Sequence, residues 1–285
     1  MVKAVIMDVD GVIIGRHEGI NFPLPHTEVI YKLKSVRVAG TPIILCTSKF
    51  GFAIQRIIDD AALDNPHIAD SGALIMYPSS KKALNKTHPI AKETIQRAIK
   101  LFIDQNLYLE LYTQSEHYVQ QTQVTDFTYK RLKILQMPPS VVESLAAVAE
   151  KENVIKMITF ANNEGTVKEV EGTVQKLSGG VDLIWSRHPY LDPLKPGIMT
   201  APGVSKISAV NEVVESLKLN FNEILAIGDA ESDWNFMKEC GYVATLENGD
   251  DEIKHLVKSR GKDSSFISGS VDDNGLIEIF EHFGL

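Results

Sequence analysis

Acidic residues follow an apolar segment at the start of the chain, in a pattern suited to metal binding or acid–base chemistry. Asp8 and Asp10 come directly after Val2–Met7 and lie two residues apart. Two carboxylates at that spacing at the end of a strand can face one site. A turn that uses Asp for backbone hydrogen bonds explains Asp-x-Asp-Gly equally well. A calcium loop is a weaker alternative, because the terminal Glu of an EF-hand is absent.

A second acidic pair, Asp229 and Asp233, follows Gly228. Residues four apart share a face of a helix, and helix capping explains one of these acids more readily than both. If the two pairs meet, each pair of like charges ~4 Å apart repels by about 1 kcal/mol in water and ~4 kcal/mol at an effective dielectric constant near 20. A bound cation would relieve this repulsion, and ligands that are all oxygen favour Mg²⁺.

Hydroxyl and ammonium groups follow at two further places. Thr47 and Ser48 end another apolar run, and hydroxyls with backbone N–H groups at a strand end suit phosphate oxygens. Lys206 stands near the start of a helix, where a positive charge opposes the helix dipole. Each signal is weak alone, since a solvated lysine is the simplest interpretation of any single Lys.

The elements that must position these residues are strands of a parallel sheet. Val2–Met7, Pro42–Cys46 and Glu223–Ile227 are nearly continuous apolar runs, each followed at once by polar residues. Such runs are typical of strands covered on both faces, and ligands bind beyond the carboxyl ends of these strands. We therefore expect the polar residues to converge on one rim. A helix is expected over Gly203–Leu217.

Residues 81–187 predict a separate α/β unit. Leu107–Tyr112 has Leu at alternate positions, which indicates a half-exposed strand. A helix is expected from Pro139 to Glu150, and the polar stretch Gln120–Lys133 is expected to be a solvated connection. Prolines and glycines between Pro189 and Gly203 then mark the return of the chain to the first unit.

Composition limits the possible partners. The 285 residues carry 29 basic and 37 acidic side chains, a net charge of −8, which argues against a nucleic-acid binder but permits an anionic substrate beside a metal ion. No run of apolar residues is long enough for a membrane span. Cys46 and Cys240 cannot form a disulfide framework, which favours reduced thiols and a cytoplasmic protein.

The four segments, in this order, resemble the motifs of the haloacid dehalogenase superfamily of phosphatases, most closely its Cof-type branch. The matching segments are Asp8–Val12, Cys46–Lys49, Gly203–Lys206 and Gly228–Asp233, and the resemblance covers the whole chain. It implies an α/β fold in which residues 1–80 and 188–285 form a Rossmann-like parallel-sheet core. Residues 81–187 would form a smaller inserted α/β cap.

The resemblance also implies roles for single residues. Asp8 would be the nucleophile and form an aspartyl-phosphate, and Asp10 would act as general acid and then as general base. Thr47 would hold a phosphoryl oxygen, and Lys206 would neutralise charge around Asp8. Mg²⁺ would be held by Asp8, the backbone carbonyl of Asp10 and Asp229, with Asp233 acting directly, through water or through Lys206.

The expected substrate is a small phosphorylated metabolite of the sugar phosphate, polyol phosphate or phosphoglycerate type. For Arg187 and His188, at the end of the cap, a solvated polar role is the simpler alternative to a substrate contact. Lys49 stands where the branch commonly has Arg. The residues expected to contact substrate are Thr47, Ser48, Lys206, Arg187 and His188.

Other activities remain open. A phosphotransferase or phosphomutase would use the same aspartyl-phosphate with a sugar hydroxyl as acceptor. A non-catalytic protein of the same fold is disfavoured because all the motif residues are intact. A glycosyltransferase Asp-x-Asp site would leave Lys206 and Gly228–Asp233 unexplained.

Overall fold

The computed structural model of the protein describes residues 1–78, 85–186 and 191–285. By its internal contacts the chain forms two compact units. The first unit contains Met1–Lys49, Ile54–Asn85 and Lys206–Leu285, and the second contains Phe50–Ala53 and Lys86–Ser205. This division carries the second unit beyond residue 187, the end expected for the cap.

Both units are built from short strands and helices. The strands are β1 (Ala4–Met7), β2 (Ile43–Leu45), β3 (His67–Ala69), β4 (Leu74–Met76), β5 (Lys86–Thr87), β6 (Glu110–Tyr112), β7 (His117–Gln120), β8 (Ser140–Val142), β9 (Lys156–Ala161), β10 (Asp182–Trp185), β11 (Lys195–Thr200), β12 (Ile224–Ile227), β13 (Tyr242–Leu246) and β14 (Ser265–Ser268). The helices are α1 (Thr27–Val38), α2 (Gly51–Asp60), α3 (Lys92–Asp104), α4 (Asp126–Lys130), α5 (Leu132–Leu135), α6 (Leu145–Lys151), α7 (Glu164–Gln175), α8 (Lys206–Ser216), α9 (Trp234–Met237), α10 (Asp251–Ser259) and α11 (Gly275–His282).

The first unit is built on a five-stranded sheet in the order β14-β13-β12-β1-β2. Every pair of neighbouring strands in it is parallel. The three strands predicted from apolar runs are β1, β2 and β12, and all of their residues are buried. Their side chains pack against apolar residues of α8 and α10, which is why these three strands contain no polar position. The predicted α/β fold with a parallel-sheet core is confirmed.

The second unit contains a six-stranded sheet in the order β10-β11-β9-β6-β7-β8. Most neighbouring strands are antiparallel, and β7 and β8 are parallel. The helices α3, α6 and α7 supply apolar residues to a core against this sheet. None of the helices in the described residues combines the length and apolar character that crossing a bilayer requires.

Three local expectations for the second unit are wrong. Leu107–Tyr112 is not half exposed, because Glu110 and Tyr112 are as buried as Leu109 and Leu111. Gln120–Lys133 is not only a solvated connection, since it contains α4 and leads into α5. Pro139–Glu150 is not one helix but β8 followed by α6.

The proline-rich return segment also contains a strand that the sequence pattern did not predict. β11 includes Pro196 and Gly197 and pairs with both β9 and β10. A Cβ at Gly197 would lie 2.9 Å from the ring of Trp185 and 3.0 Å from Thr159. Glycine is therefore required here by close side-chain packing rather than by a turn.

Candidate active site

Asp8 lies at the carboxyl end of β1, where the chain leaves the sheet. Its N–H donates to the carbonyl of Ile227, the last residue of β12, at 3.0 Å. Its Oδ1 accepts a hydrogen bond from the N–H of Val9 at 2.7 Å. The Asp8 carboxylate is therefore fixed beside the end of the neighbouring strand, which leads to Asp229.

Lys206 joins two of the carboxylates. It is the first residue of α8, and its Nζ lies 3.0 Å from Oδ2 of Asp8 and 2.8 Å from Oδ1 of Asp233. Burial disfavours the charged ammonium, but the charges of Asp233 and Asp8 outweigh burial and raise the pKa of Lys206 well above its usual value. Lys206 therefore stays protonated and neutralises part of the local negative charge.

Three carboxylates are crowded at this place. Ligand oxygens of Asp8, Asp229 and Asp233 all lie within 4.8 Å of one another. Burial raises the pKa of Asp8 to about 7, with Lys206 acting against it. Burial also raises the pKa of Asp229 well above its usual value, and the charges of Asp8 and Asp233 add to the effect. One lysine does not compensate this charge, so the donor set fits a hard divalent cation.

The oxygens of Asp233 are already engaged by protein donors. Oδ1 pairs with Lys206, and Oδ2 accepts from the N–H groups of Asp229 and Ala230 at 3.3 Å. Among the described residues, no protein donor hydrogen-bonds to the carboxylate of Asp229. The carboxylate of Asp229 is therefore more available to a cation than that of Asp233. The Asp233 carboxylate instead orients Lys206 and the loop that carries Asp229.

Asp10 has a different partner. Its Oδ1 lies 3.0 Å from Nζ of Lys49, whose side chain is only 6% exposed. Lys49 follows β2 in the segment that also carries Thr47 and Ser48. Thr47 is buried, and its Oγ1 accepts from the N–H of Lys49 at 3.1 Å, while Ser48 is partly buried. The ammonium of Lys49 therefore lies next to the carboxylate of Asp10, the predicted general acid and base.

A strained turn at Asp70–Gly72 supports the Thr47–Lys49 segment through backbone hydrogen bonds. The segment Asp70–Ala73 resembles one that usually reads Asn-Gly-Ala in the family, but its backbone conformation was not predicted. Asp70, Ser71 and Gly72 all have positive φ, at 53°, 60° and 99°, although only glycine adopts this region without cost. The N–H of Asp70 donates to the carbonyl of Lys49 at 2.7 Å, and that of Ser71 to the carbonyl of Thr47 at 3.1 Å. Such strain persists where surrounding contacts enforce it.

A second contributor that the motif analysis left without a role is Asn248, which follows β13 and hydrogen-bonds to Gly11. The segment Leu246–Gly249 lies within the stretch that resembles the family, but the resemblance implied no role for Asn248. Of the predicted substrate contacts, Arg187 and His188 lie outside the described residues. The structure therefore assembles Asp8, Asp229, Asp233 and Lys206, with Asp10 paired to Lys49.

Comparisons with known proteins identify the family of the chain. The family model of the haloacid dehalogenase-like hydrolases matches residues 5–280, as the resemblance predicted. A 5-amino-6-(5-phospho-D-ribitylamino)uracil phosphatase of Bacillus subtilis is 22% identical, over 96% of this chain and 95% of its own. A phosphoglycolate phosphatase of Archaeoglobus fulgidus is also 22% identical, over 99% and 97%.

A protein of known structure has a fold similar to that of this chain. BT1666 from Bacteroides thetaiotaomicron, analysed among the phosphatases of the haloalkanoate (HAD) enzyme superfamily, superposes with a TM-score of 0.78 at 21% identity. The match covers 100% of this chain and 96% of that one. The similarity therefore extends over both units and is not confined to the parallel sheet.

Proposed function

This chain belongs to the haloacid dehalogenase-like hydrolase family, and we propose that it is a phosphatase of small phosphorylated metabolites. The observation that carries the proposal is the ion-paired cluster in which Lys206 bridges Asp8 and Asp233 next to Asp229. Such a cluster offers a carboxylate nucleophile, a fixed positive charge and a cation site within one small volume.

In the proposed reaction, Asp8 is the nucleophile. A carboxylate oxygen of Asp8 forms a bond to phosphorus while the bond from phosphorus to the leaving oxygen breaks. Asp10 acts as general acid and gives a proton to that oxygen, and the alcohol leaves. Asp10 then takes a proton from water, which attacks the phosphorus of the aspartyl-phosphate. Inorganic phosphate leaves and the Asp8 carboxylate is restored.

Thr47 and Lys206 would hold the phosphoryl group during these steps. The side chains of both residues lie near the carboxyl ends of the parallel strands, Thr47 after β2 and Lys206 beside Asp8. Fixed donors aimed at the charge that develops on the transferred group stabilise the transition state more than mobile water does. Positioning and charge compensation are the main contributions that a protein makes to phosphoryl transfer.

Mg²⁺ fits the donor set and is the proposed cofactor. Asp8 and Asp229 would supply carboxylate oxygens and Asp10 its backbone carbonyl, while Asp233 would act through Lys206. When bound, the ion supplies positive charge that reduces repulsion between the carboxylates and the incoming phosphate. The crowding of Asp8, Asp229 and Asp233 supports this assignment, since their ligand oxygens lie within 4.8 Å of one another. Burial is the main cause of the raised pKa values of Asp8 and Asp229, and a bound cation would favour the charged carboxylates there.

The substrate class is supported by two of the relatives. One is named for a phosphorylated ribityl compound and the other for phosphoglycolate, both small phosphate monoesters. We propose a sugar phosphate, polyol phosphate or phosphoglycerate as the substrate of this chain. We also propose that the second unit acts as the cap that selects it, and that Ser48, Arg187 and His188 are candidate contacts.

The experiment that tests this function is a screen for phosphate release. Sugar phosphates, polyol phosphates and phosphoglycerates are incubated with the chain and Mg²⁺, with and without a sugar acceptor. We expect inorganic phosphate from at least one class, complete loss in Asp8→Asn, and unchanged release in Asp104→Asn, which alters an exposed carboxylate. Full release by a folded Asp8→Asn would reject the nucleophile, and transfer only to the acceptor would show a phosphotransferase.

A further inference from the structure

The turn after β13 contacts both loops that carry the clustered carboxylates. The Asn248 Nδ2 donates to the carbonyl of Gly11 at 2.8 Å, in the loop that follows Asp8 and Asp10. The N–H of Asp250 donates to the carbonyl of Asp229 at 2.8 Å. β13 itself is not adjacent to β1 in the sheet. The Asn248 side chain therefore reaches beyond the neighbouring strand β12 to the loop of β1.

Gly11, which accepts the hydrogen bond from Asn248, packs against one residue of the acidic cluster, Asp229. Its φ is +76°, and a Cβ built at this position would lie 1.9 Å from Oδ2 of Asp229. The backbone of Gly11 thus lies directly against the Asp229 carboxylate. A shift of Gly11 toward Asp229 would displace that carboxylate, and a shift away would leave it unsupported.

Both ends of the Asn248 amide have defined partners. Nδ2 faces a carbonyl that can only accept, and Oδ1 accepts from the N–H of Val271 at 2.8 Å. A side chain at this position must therefore donate on one side and accept on the other, which a carboxylate cannot do. This arrangement ties Gly11 to the segment before α11, more than 200 residues away along the chain.

We propose that Asn248 is a positioning residue that holds Gly11 and, through it, sets the place of the Asp229 carboxylate for binding Mg²⁺. The role rests on the function proposed above, because it takes Asp229 as a metal ligand. Both ends of the Asn248 amide are taken by Gly11 and Val271, so Asn248 would act through Gly11. Its effect is on the geometry of a ligand, and such outer contacts are commonly worth about 10–100-fold in metal affinity or activity.

The test is calorimetric titration of the full chain with Mg²⁺ alone. In Asn248→Asp one carboxylate oxygen can still accept from the N–H of Val271. The other oxygen replaces the Nδ2 donor and faces the carbonyl of Gly11, to which it cannot donate. We expect Mg²⁺ affinity to fall by roughly 10-fold or more, because Asp229 loses its support. If only the added negative charge mattered, Mg²⁺ affinity would rise instead. Asn222→Asp is the matched control, because it adds the same charge before β12, at the opposite end of that strand. We expect its affinity to be unchanged.

A neutral variant separates positioning from charge and from folding. Asn248→Ser removes the reach of the amide, and we expect the same loss of Mg²⁺ affinity with a melting temperature in EDTA that shows a folded chain. A role in stability alone would lower the melting temperature and leave the affinity of the folded protein unchanged. Where phosphate release is measurable, kcat should fall more than KM rises.

Wild-type Mg²⁺ affinity in either folded variant would overturn the proposal. Absence of Mg²⁺ binding by the unchanged chain would overturn it too, since Asn248 would have no metal ligand to position. Absence of phosphate release with Mg²⁺ binding intact would instead contradict the proposed function. The titrations would then still decide the role of Asn248.

Discussion

At the scale of single residues, Lys206 shows why a local rule is broken at this site. A lysine in the first turn of a helix opposes the helix dipole, and a surface lysine there would bring no compensating gain. Here the Lys206 side chain is only 14% exposed, and its ammonium contacts the carboxylates of Asp8 and Asp233. These two ion pairs explain why a lysine stands at a position where the helix dipole disfavours a positive charge.

Replacing Lys206 by Met should therefore affect both stability and turnover. Removal of one partner from a buried ionic cluster typically costs about 3 kcal/mol in the free energy of unfolding. Loss of a fixed charge aimed at the phosphoryl group should lower kcat by roughly 10²–10³-fold. Urea unfolding and phosphate release measure the two effects, with Lys262→Met as an exposed control. Turnover near the wild-type rate in Lys206→Met would contradict the role assigned to it.

His67 gives the first unit a defined sensitivity to acid. It is fully buried in β3, where its Nδ1 accepts from the N–H of Leu45 at 3.2 Å. Burial lowers the pKa of His67 to about 4, below the usual value of about 6.5. The unfolded chain therefore binds this proton more readily, and stability present above pH ~6.5 is lost as the pH falls toward 4.

We expect His67→Asn to reduce that loss. The amide oxygen can replace Nδ1 as the acceptor for Leu45, but the side chain does not titrate. The difference between variant and wild type in the pH dependence should approach about 3 kcal/mol between pH 6.5 and 4. Urea unfolding at several pH values measures it, with exposed His255→Asn as the control. Parallel stability curves for wild type and His67→Asn would contradict this assignment.

At the scale of elements, α4 and α5 cover a buried polar face of the second sheet. Arg131, between these two short helices, donates to Glu110 through Nη1 and to the Tyr112 hydroxyl through Nη2 at 2.8 Å. Burial alone would raise the pKa of Glu110, but Arg131 outweighs it and the pKa is lowered. The guanidinium also lies 4.5 Å from the ring centre of Phe160.

Arg131→Met should destabilise the chain strongly, because it leaves Glu110 charged and buried without its partner. The expected loss is about 3–5 kcal/mol in the free energy of unfolding, with partial recovery in Glu110→Gln/Arg131→Met. Lys195→Met is the control, since it breaks the exposed pair with Glu164 and should cost under about 1 kcal/mol. Equal effects of Arg131→Met and Lys195→Met in chemical denaturation would refute this account.

The same segment shows where elements could be predicted and where they could not. β1, β2 and β12 were predictable because strands covered on both faces leave a continuous apolar run. Glu110 and Arg131 were not, because a buried ion pair leaves the same sequence pattern as two exposed charges. β11 was hidden for a different reason, since Pro196 and Gly197 normally indicate a turn.

At the scale of the whole molecule, the candidate site is a consequence of parallel strands. Asp8 and Asp229 lie far apart in the chain, but β1 and β12 are neighbours in register, so their carboxyl ends bring the two residues together. The clustering could be predicted because polar residues at strand ends follow from the topology. The supports at Ser71 and Asn248 could not, since backbone φ values and side-chain reach across the sheet leave no periodic signal.

Mg²⁺ should stabilise the whole chain by binding only its folded state. At a concentration about 100 times the Kd, the expected gain is about 2.7 kcal/mol. Asp229→Asn should abolish most of this gain, and Asp104→Asn should keep it. Thermal unfolding in Mg²⁺ and in EDTA measures the difference. Equal stabilisation of Asp229→Asn and wild type would place the ion elsewhere.

The central claim is that Asp8 accepts a phosphoryl group from the substrate. The most direct measurement is peptide mass spectrometry after acid quenching of the chain during turnover of p-nitrophenyl phosphate with Mg²⁺. The account predicts a phosphoryl group on Asp8 in the unchanged chain and none at that position in Asp8→Asn. Turnover in which the phosphoryl group is found on another residue, or on none, would contradict it.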